Sequence, residues 1–141
     1  METSNIEIYA HESEVEVAHK INTMELHNWI NHLIYVRKEL NNIIGFYNAQ
    51  PDEKRLEQEM TSQRFEMKQV DNDVILSELQ KFKNSRGSIA ECQDMLCDMT
   101  FIQEHEKCRR MYLFHIDKYR KIKDSFFVDL RGKISEVTNV T

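Results

Sequence analysis

Apolar and aromatic side chains in this chain recur at alternating steps of four and three residues. Seven residues nearly complete two turns of an α-helix, so such steps keep side chains on one stripe. One stripe reads Val15, His19, Asn22, Leu26, Trp29, Leu33, Val36, Leu40, Ile43, Tyr47. Ile30, Ile34 and Ile44 widen it on one flank, which suits a bundle helix better than a two-stranded coiled coil. Another reads Phe101, His105, Cys108, Tyr112, His115, Tyr119, Ile122, Phe126. It is helical in period but mixed in chemistry, with imidazole, thiol and phenol where a plain bundle would carry leucine.

Punctuation marks divide the chain into three helices. His11 or Ser13 can open the first. It ends before Pro51, because the residue ahead of a proline is pushed out of helical geometry. The same proline suits the first turn of the next helix, with Asp52 and Glu53 at the positive end of its dipole. That second helix shows apolar residues at Leu56, Met60, Met67, Val70, Val74, Ile75, Leu79 and Phe82, with Gln63 in the row and a drift of one residue near Val74. Gly87 reads as a left-handed residue after the helix end, and Ser88-Ile89-Ala90-Glu91 as a capping box opening the third helix. The expected spans are about 13–49, 51–85 and 89–134, with a possible kink at Asp124-Ser125.

The expectation is an all-α fold: an antiparallel up-down-up three-helix bundle whose long third helix overhangs the other two. Residues 1–12 read as an acidic N-terminal arm, partly ordered at most, 13–134 as the bundle, and 135–141 as a frayed tail. One proline and three glycines in 141 residues leave little for a turn-rich β protein. A chain of this length needs no metal or disulfide staple to build a core.

Composition narrows the function classes. No apolar run approaches the roughly 20 residues that span a bilayer, and the N-terminal stretch lacks the basic start and apolar block of a signal peptide. No membrane association and a cytoplasmic location are the expectations. The three cysteines, Cys92, Cys97 and Cys108, fall on one expected helix without a C-x-x-C, so reduced thiols are expected. The net charge of −5 is unevenly placed. Glu2, Glu7, Glu12, Glu14 and Glu16 account for it, leaving a neutral body behind an acidic arm.

Few motifs carry chemistry. Glycine-rich loops, G-x-S-x-G and Walker-type sequences are missing from the sequence. Cys108 beside His105 or His115 on one rigid helix face is no catalytic dyad without an orienting third group. Glu16-Val17-Ala18-His19 is one E-x-x-H element, whereas a di-iron bundle needs two. A looser metal or haem site remains conceivable. Bundle layering puts His105 level with Trp29 to His32 and with Val70 and Asp71, gathering His27, His32, Glu66, Asp73 and Glu104 nearby. Its best candidates are His32, His105, His115 and Asp71, for zinc, non-haem iron or haem.

The bland alternative is a structural seam. Tyrosine and histidine have apolar bodies and polar tips that reach partners at a bundle boundary, and free cysteine behaves as a small hydrophobe. Residues 107–123 hold seven basic side chains against Asp117, which raises contact with nucleic acid through the basic face of the third helix. Carboxylates on the second helix, Glu57, Glu59 and Glu66, offer ion pairs instead, and nucleic acid is not expected. The overhanging Phe126, Phe127, Leu130 and Ile134 are the expected interaction residues. The functional expectation is a non-enzymatic helical interaction or scaffold module with a protein partner, foremost a second copy in a homodimer, and no cofactor.

Overall fold

The computed structural model describes residues 13–139. The acidic arm at 1–12 and the last two residues lie outside them. The fold is all-α: α1 (Glu14–Asn48), α2 (Asp52–Glu57), α3 (Glu59–Ser85) and α4 (Met95–Asn139), with a 3-10 turn at Arg86–Glu91. No strand occurs among the described residues.

Ser13 opens α1, its Oγ accepting the Glu16 N–H at 3.2 Å. Pro51 stands just ahead of α2 with an extended ψ of 154°, so it precedes the helix and does not enter its first turn. A single residue, Gln58, interrupts what the sequence suggests is one helix from 51 to 85. The largest difference lies at the junction before α4. Ser88 does not cap a helix; its Oγ donates back to the Ser85 carbonyl at 2.9 Å. Gly87 does not adopt a positive φ. The Arg86 guanidinium, buried and donating to the His19 carbonyl and Thr23 Oγ1 at 2.8 Å each, pins this segment as a 3-10 turn. The start of α4 moves to Asp94, whose carboxylate accepts the Cys97 N–H at 2.8 Å. Helix α4 then runs unbroken past Asp124-Ser125 to Asn139, so residues 135–139 continue the helix.

The same junction corrects the thiols. Cys92 ends the 3-10 turn and Cys97 sits in the first turn of α4, and the two form a disulfide with Cα atoms 5.5 Å apart. Breaking the helix between them turns their side chains toward each other, which a continuous helix would not do. Cys108 is free and buried.

The chain forms two compact units. Among the described residues, unit one comprises 13–35 with 74–112, and unit two 36–73 with 113–139. In unit one, α1 and α4 run parallel: Glu25 meets His105 and His32 meets Tyr112, each separated by 80 residues. The third segment, from α3, runs the other way, with Phe82 against His105. Its apolar core holds Leu26, Trp29, Ile30, Leu33, Leu76 and Leu79.

Unit two repeats the parallel register, with Glu39 against Tyr119. It also repeats the reversed α3, with Asn72 against His115 and Gln69 donating to Asn41 at 2.6 Å. Its core is more aromatic. Tyr47 stacks on Phe65 at 5.7 Å, and Phe126 meets Phe46 edge-on at 5.3 Å. The end of α4 is accompanied by α2 and its preceding turn, through Lys133 to Gln50 at 3.1 Å and Lys54 to Glu136 at 3.1 Å.

Helix α3 departs from expectation in which face it buries. Phe65, Asn72, Leu76 and Leu79 point inward, whereas Leu56, Met60, Met67, Val70 and Val74 are exposed. The drift near Val74 is therefore a switch between two faces of one helix. Phe65 and Asn72 lie half a turn away from the row that contains Met60, Met67 and Val74.

Candidate functional site

The mixed stripe of α4 supplies most of the titratable and aromatic chemistry. In unit one, steps of three and four along α4 present His105, Arg109 and Tyr112 to α1, where Glu25, Trp29 and His32 recur at the same spacing. His105 is fully buried, and its Nε2 donates to Glu25 Oε1 at 2.7 Å. Arg109 donates to the same oxygen and also pairs with Glu106. Trp29 is stacked between the His105 ring at 4.8 Å and the Tyr112 ring at 5.3 Å. The Arg109 guanidinium lies 5.9 Å from the Trp29 ring centre, and the Tyr112 hydroxyl bonds to His32 Nδ1.

Burial and neighbouring charge set the electrostatics of this cluster. Burial lowers the pKa of His105 more than the Glu25 carboxylate raises it, so the ring is neutral near pH 7. A neutral ring donating from Nε2 leaves Nδ1 unprotonated, and Nδ1 is buried with no hydrogen-bond partner among the described residues. Burial opposes the Glu25 carboxylate, yet hydrogen bonds and charge from Arg109 and His105 outweigh it and hold the carboxyl below its ordinary range. Higher in unit one, His19 Nε2 donates to Asp98 Oδ1 at 2.8 Å. The buried Arg86 has its pKa lowered by burial and lies 5.5 Å from the Phe82 ring centre.

Unit two continues the pattern with different partners. His115 Nε2 donates to Asn72 Oδ1 at 2.8 Å, both residues being buried. Glu39 accepts from the Tyr119 hydroxyl and from Lys123, the latter at 2.6 Å. Tyr47 donates to Asp129 Oδ2 at 2.6 Å, and burial together with that carboxylate raises the phenol pKa far above its ordinary value.

Of the sequence-based metal candidates, His32 and His105 belong to unit one and His115 and Asp71 to unit two. Asp71 is exposed and pairs with Lys68 at 3.4 Å. Trp29 does lie against His105, as layering suggests, but the third neighbour is Phe82 and not Val70 or Asp71. The turn at Arg86–Glu91 and the three residues after it lengthen the connection, which shifts the α1–α4 register to 80 from the 75 that a helix starting at 89 implies. No group of three or more His, Cys, Asp or Glu side chains arranged for a metal occurs among the described residues. Cys108 carries no sign of activation, since burial first and then Glu104 and Glu78 raise its pKa.

The basic stretch of α4 is partly neutralised, though not by α3. Arg109 pairs with Glu25 and Glu106, Lys123 with Glu39, and Lys121 with Asp117 at 3.0 Å. The expected overhang patch is also only partly available. Phe126 is packed among Phe46, Tyr47 and Phe65, and Leu130 is half-buried, leaving Phe127 and Ile134 exposed.

A different surface stands out. Met60, Met67 and Val70 are 71%, 68% and 63% exposed, on the unit-two part of α3, with Leu56 of α2 at 74%. These residues were legible in the sequence as an apolar row, but the signal that they face outward was the second row, Phe65, Leu76 and Leu79, running beside them. Only one of the two can line a core. No helix among the described residues is long and apolar enough to cross a membrane. No family model, no curated protein and no solved structure matches the chain.

Proposed function

We propose that the protein is a non-enzymatic helical interaction module that acts through protein–protein contact. The observation that carries this reading is the exposed row Leu56, Met60, Met67 and Val70, because a helix with apolar rows on two opposite faces is stable in water when both are covered. The histidines, tyrosines and carboxylates of the α4 stripe support it from the other side. They are consumed by one another, as members of a packing seam are, and the only thiol left free is buried.

For this reading we adopt the antiparallel up-down-up arrangement of three long helices. It is supported by the parallel α1–α4 register and the reversed α3 register found in each unit taken by itself. The overhang residues Phe127 and Ile134 remain secondary candidates for contact, with the α3 row placed ahead of them. A photo-crosslinking amino acid at position 67, in the full chain produced in its native cells, tests the proposal. Discrete adducts with a polypeptide, absent when the probe sits at the core position 79, are the expected result. A chain that yields no adduct from positions 60, 67 or 70 contradicts it.

A further inference from the structure

Met60, Gln63, Met67 and Val70 follow the four-three rhythm on the outward side of α3 within unit two. A strip this narrow, one residue wide at each turn, fits the groove between side chains of another helix better than a flat sheet or a broad globular surface. The two edges of the strip differ in charge, and that difference selects the occupant. On the edge toward α1, the residues preceding Met60 and Met67 are Glu59 and Glu66, and both lie in a groove beside Tyr47 and Asn48. On the edge toward α4, the residue following Gln63 is Arg64, which shares a groove with Met67, Lys118 and Lys121. Asp71 on that same edge is paired with Lys68 at 3.4 Å. The strip is therefore acidic along one side and net basic along the other.

Two copies of such a strip can meet in two ways. In an antiparallel pairing, like edges face each other, so Glu59 opposes Glu66 of the second copy while Arg64 faces an Asp71 already paired with Lys68. In a parallel pairing about a twofold axis, each edge meets the other edge of the second copy, and the one carboxylate contact, Glu66 with Asp71, is offset by Lys68. Glu59 then lies opposite Arg64 of the second copy twice over, at the spacing by which coiled coils set orientation. The parallel arrangement also places Gln63 against its own equivalent, where two amides can hydrogen-bond and fix the register.

We infer that the occupant of the outward α3 face is a second copy of this chain, paired in parallel through Met60, Gln63, Met67 and Val70, with Glu59 of each copy against Arg64 of the other. The inference rests on the proposed interaction module and names its partner. The seam covers about two heptads, so the dimer is weak and reversible, at the small end of specific interfaces.

Sedimentation equilibrium of the purified full chain tests it. The wild type self-associates to a dimer, more weakly at 0.5 M salt than at 0.05 M because exposed ion pairs are screened. Met67→Lys weakens association at least about tenfold, corresponding to an apolar contact replaced by like charges at the centre of the seam. Glu59→Lys and Arg64→Glu each weaken it by about three- to tenfold, from two exposed ion pairs per dimer. The double variant Glu59→Lys/Arg64→Glu returns to within about twofold of wild type, because the swapped charges again face each other. Circular dichroism of each variant confirms that the helices are retained.

A dimer untouched by Met67→Lys, or a double variant no better than the singles, overturns the parallel α3 seam. So does a chain that stays monomeric at millimolar concentration. In that last case, crosslinks from position 67 to a different polypeptide would leave the interaction module standing and remove only the second copy. No crosslinks at all would remove both.

Discussion

The mixed stripe of α4 and the outward row of α3 look alike in period and opposite in fate. The α4 stripe carries most of the side chains that suggest chemistry, and each of its principal polar tips is met inside its own unit: His105 by Glu25, His115 by Asn72, Tyr119 by Glu39. The α3 row carries methionine, valine and one glutamine, which suggest only packing, and its apolar members are exposed. The two stripes therefore differ in what covers them: one is met by partners inside its own unit, and the other has its apolar members open to solvent.

The sharpest way to break this comparison is to cut each side of α3 separately. Phe65, fully buried and stacked on Tyr47, is on the core side. Phe65→Ala is expected to destabilise the protein by about 3–4 kcal/mol in urea unfolding, the cost of lost transfer energy plus a cavity. If Met67→Ala, measured at low concentration, cost a similar amount, the two faces would not differ and the outward assignment would fail.

The polar seam is tested next. Glu25→Ala leaves the buried His105 donor and the Arg109 guanidinium without their shared acceptor, and about 2 kcal/mol of stability should be lost at pH 7. A loss of only a few tenths would mean that the network is loose and that its residues are free for other work. Asn72→Ala, removing the acceptor of the buried His115, should cost about 1–2 kcal/mol by the same reasoning.

The pH dependence follows from two directions of shift. His105 has a folded pKa below its ordinary value of 6.5, so between these values the unfolded chain binds more protons than the folded one. Stability is therefore full above the unfolded value and falls as the pH drops from about 6.5 toward the folded pKa. Glu25, also lowered, adds a second loss as the pH falls below its ordinary value of 4.5 toward its folded pKa. Urea midpoints between pH 7 and pH 4 should thus decline on acidification, and His105→Gln, which keeps a donor toward Glu25 without titrating, should flatten the upper part of that decline. An unchanged slope in this variant would move the titration to another histidine.

Much of this was legible in the sequence, and the failures have physical causes. The span of α1, the long α4, and the mixed seam facing α1 all follow from hydrophobic period, which is a local property. The turn before α4 did not, because Ser88 and Glu91 satisfy a capping pattern while Arg86 makes a contact 63 and 67 residues away that favours the 3-10 turn. That contact is invisible to local pattern, and with it went the Cys92–Cys97 disulfide and the correct register of α4 against α1. On α3, the sequence reads as one apolar row that drifts near Val74, because periodicity gives a direction only relative to the helix and does not say which side meets the neighbours. Phe65 decides it, since an aromatic ring at that point closes the cluster with Tyr47 and Phe126.

The smallest expected effect is on the monomer itself: Met67→Lys should change its stability by no more than about 0.5 kcal/mol, as for an exposed position without partners. Its effect is reserved for association, which makes one measurement the most direct test of the contrast between seam and row. Amide chemical shifts of the labelled full chain can be followed during serial dilution. Changes should concentrate at residues 59–71, leave the Glu25–His105–Arg109 cluster still, and vanish in Met67→Lys. Dilution shifts centred on α4 at His105 to His115 or on Phe126 to Ile134, with 59–71 unmoved, would contradict the account.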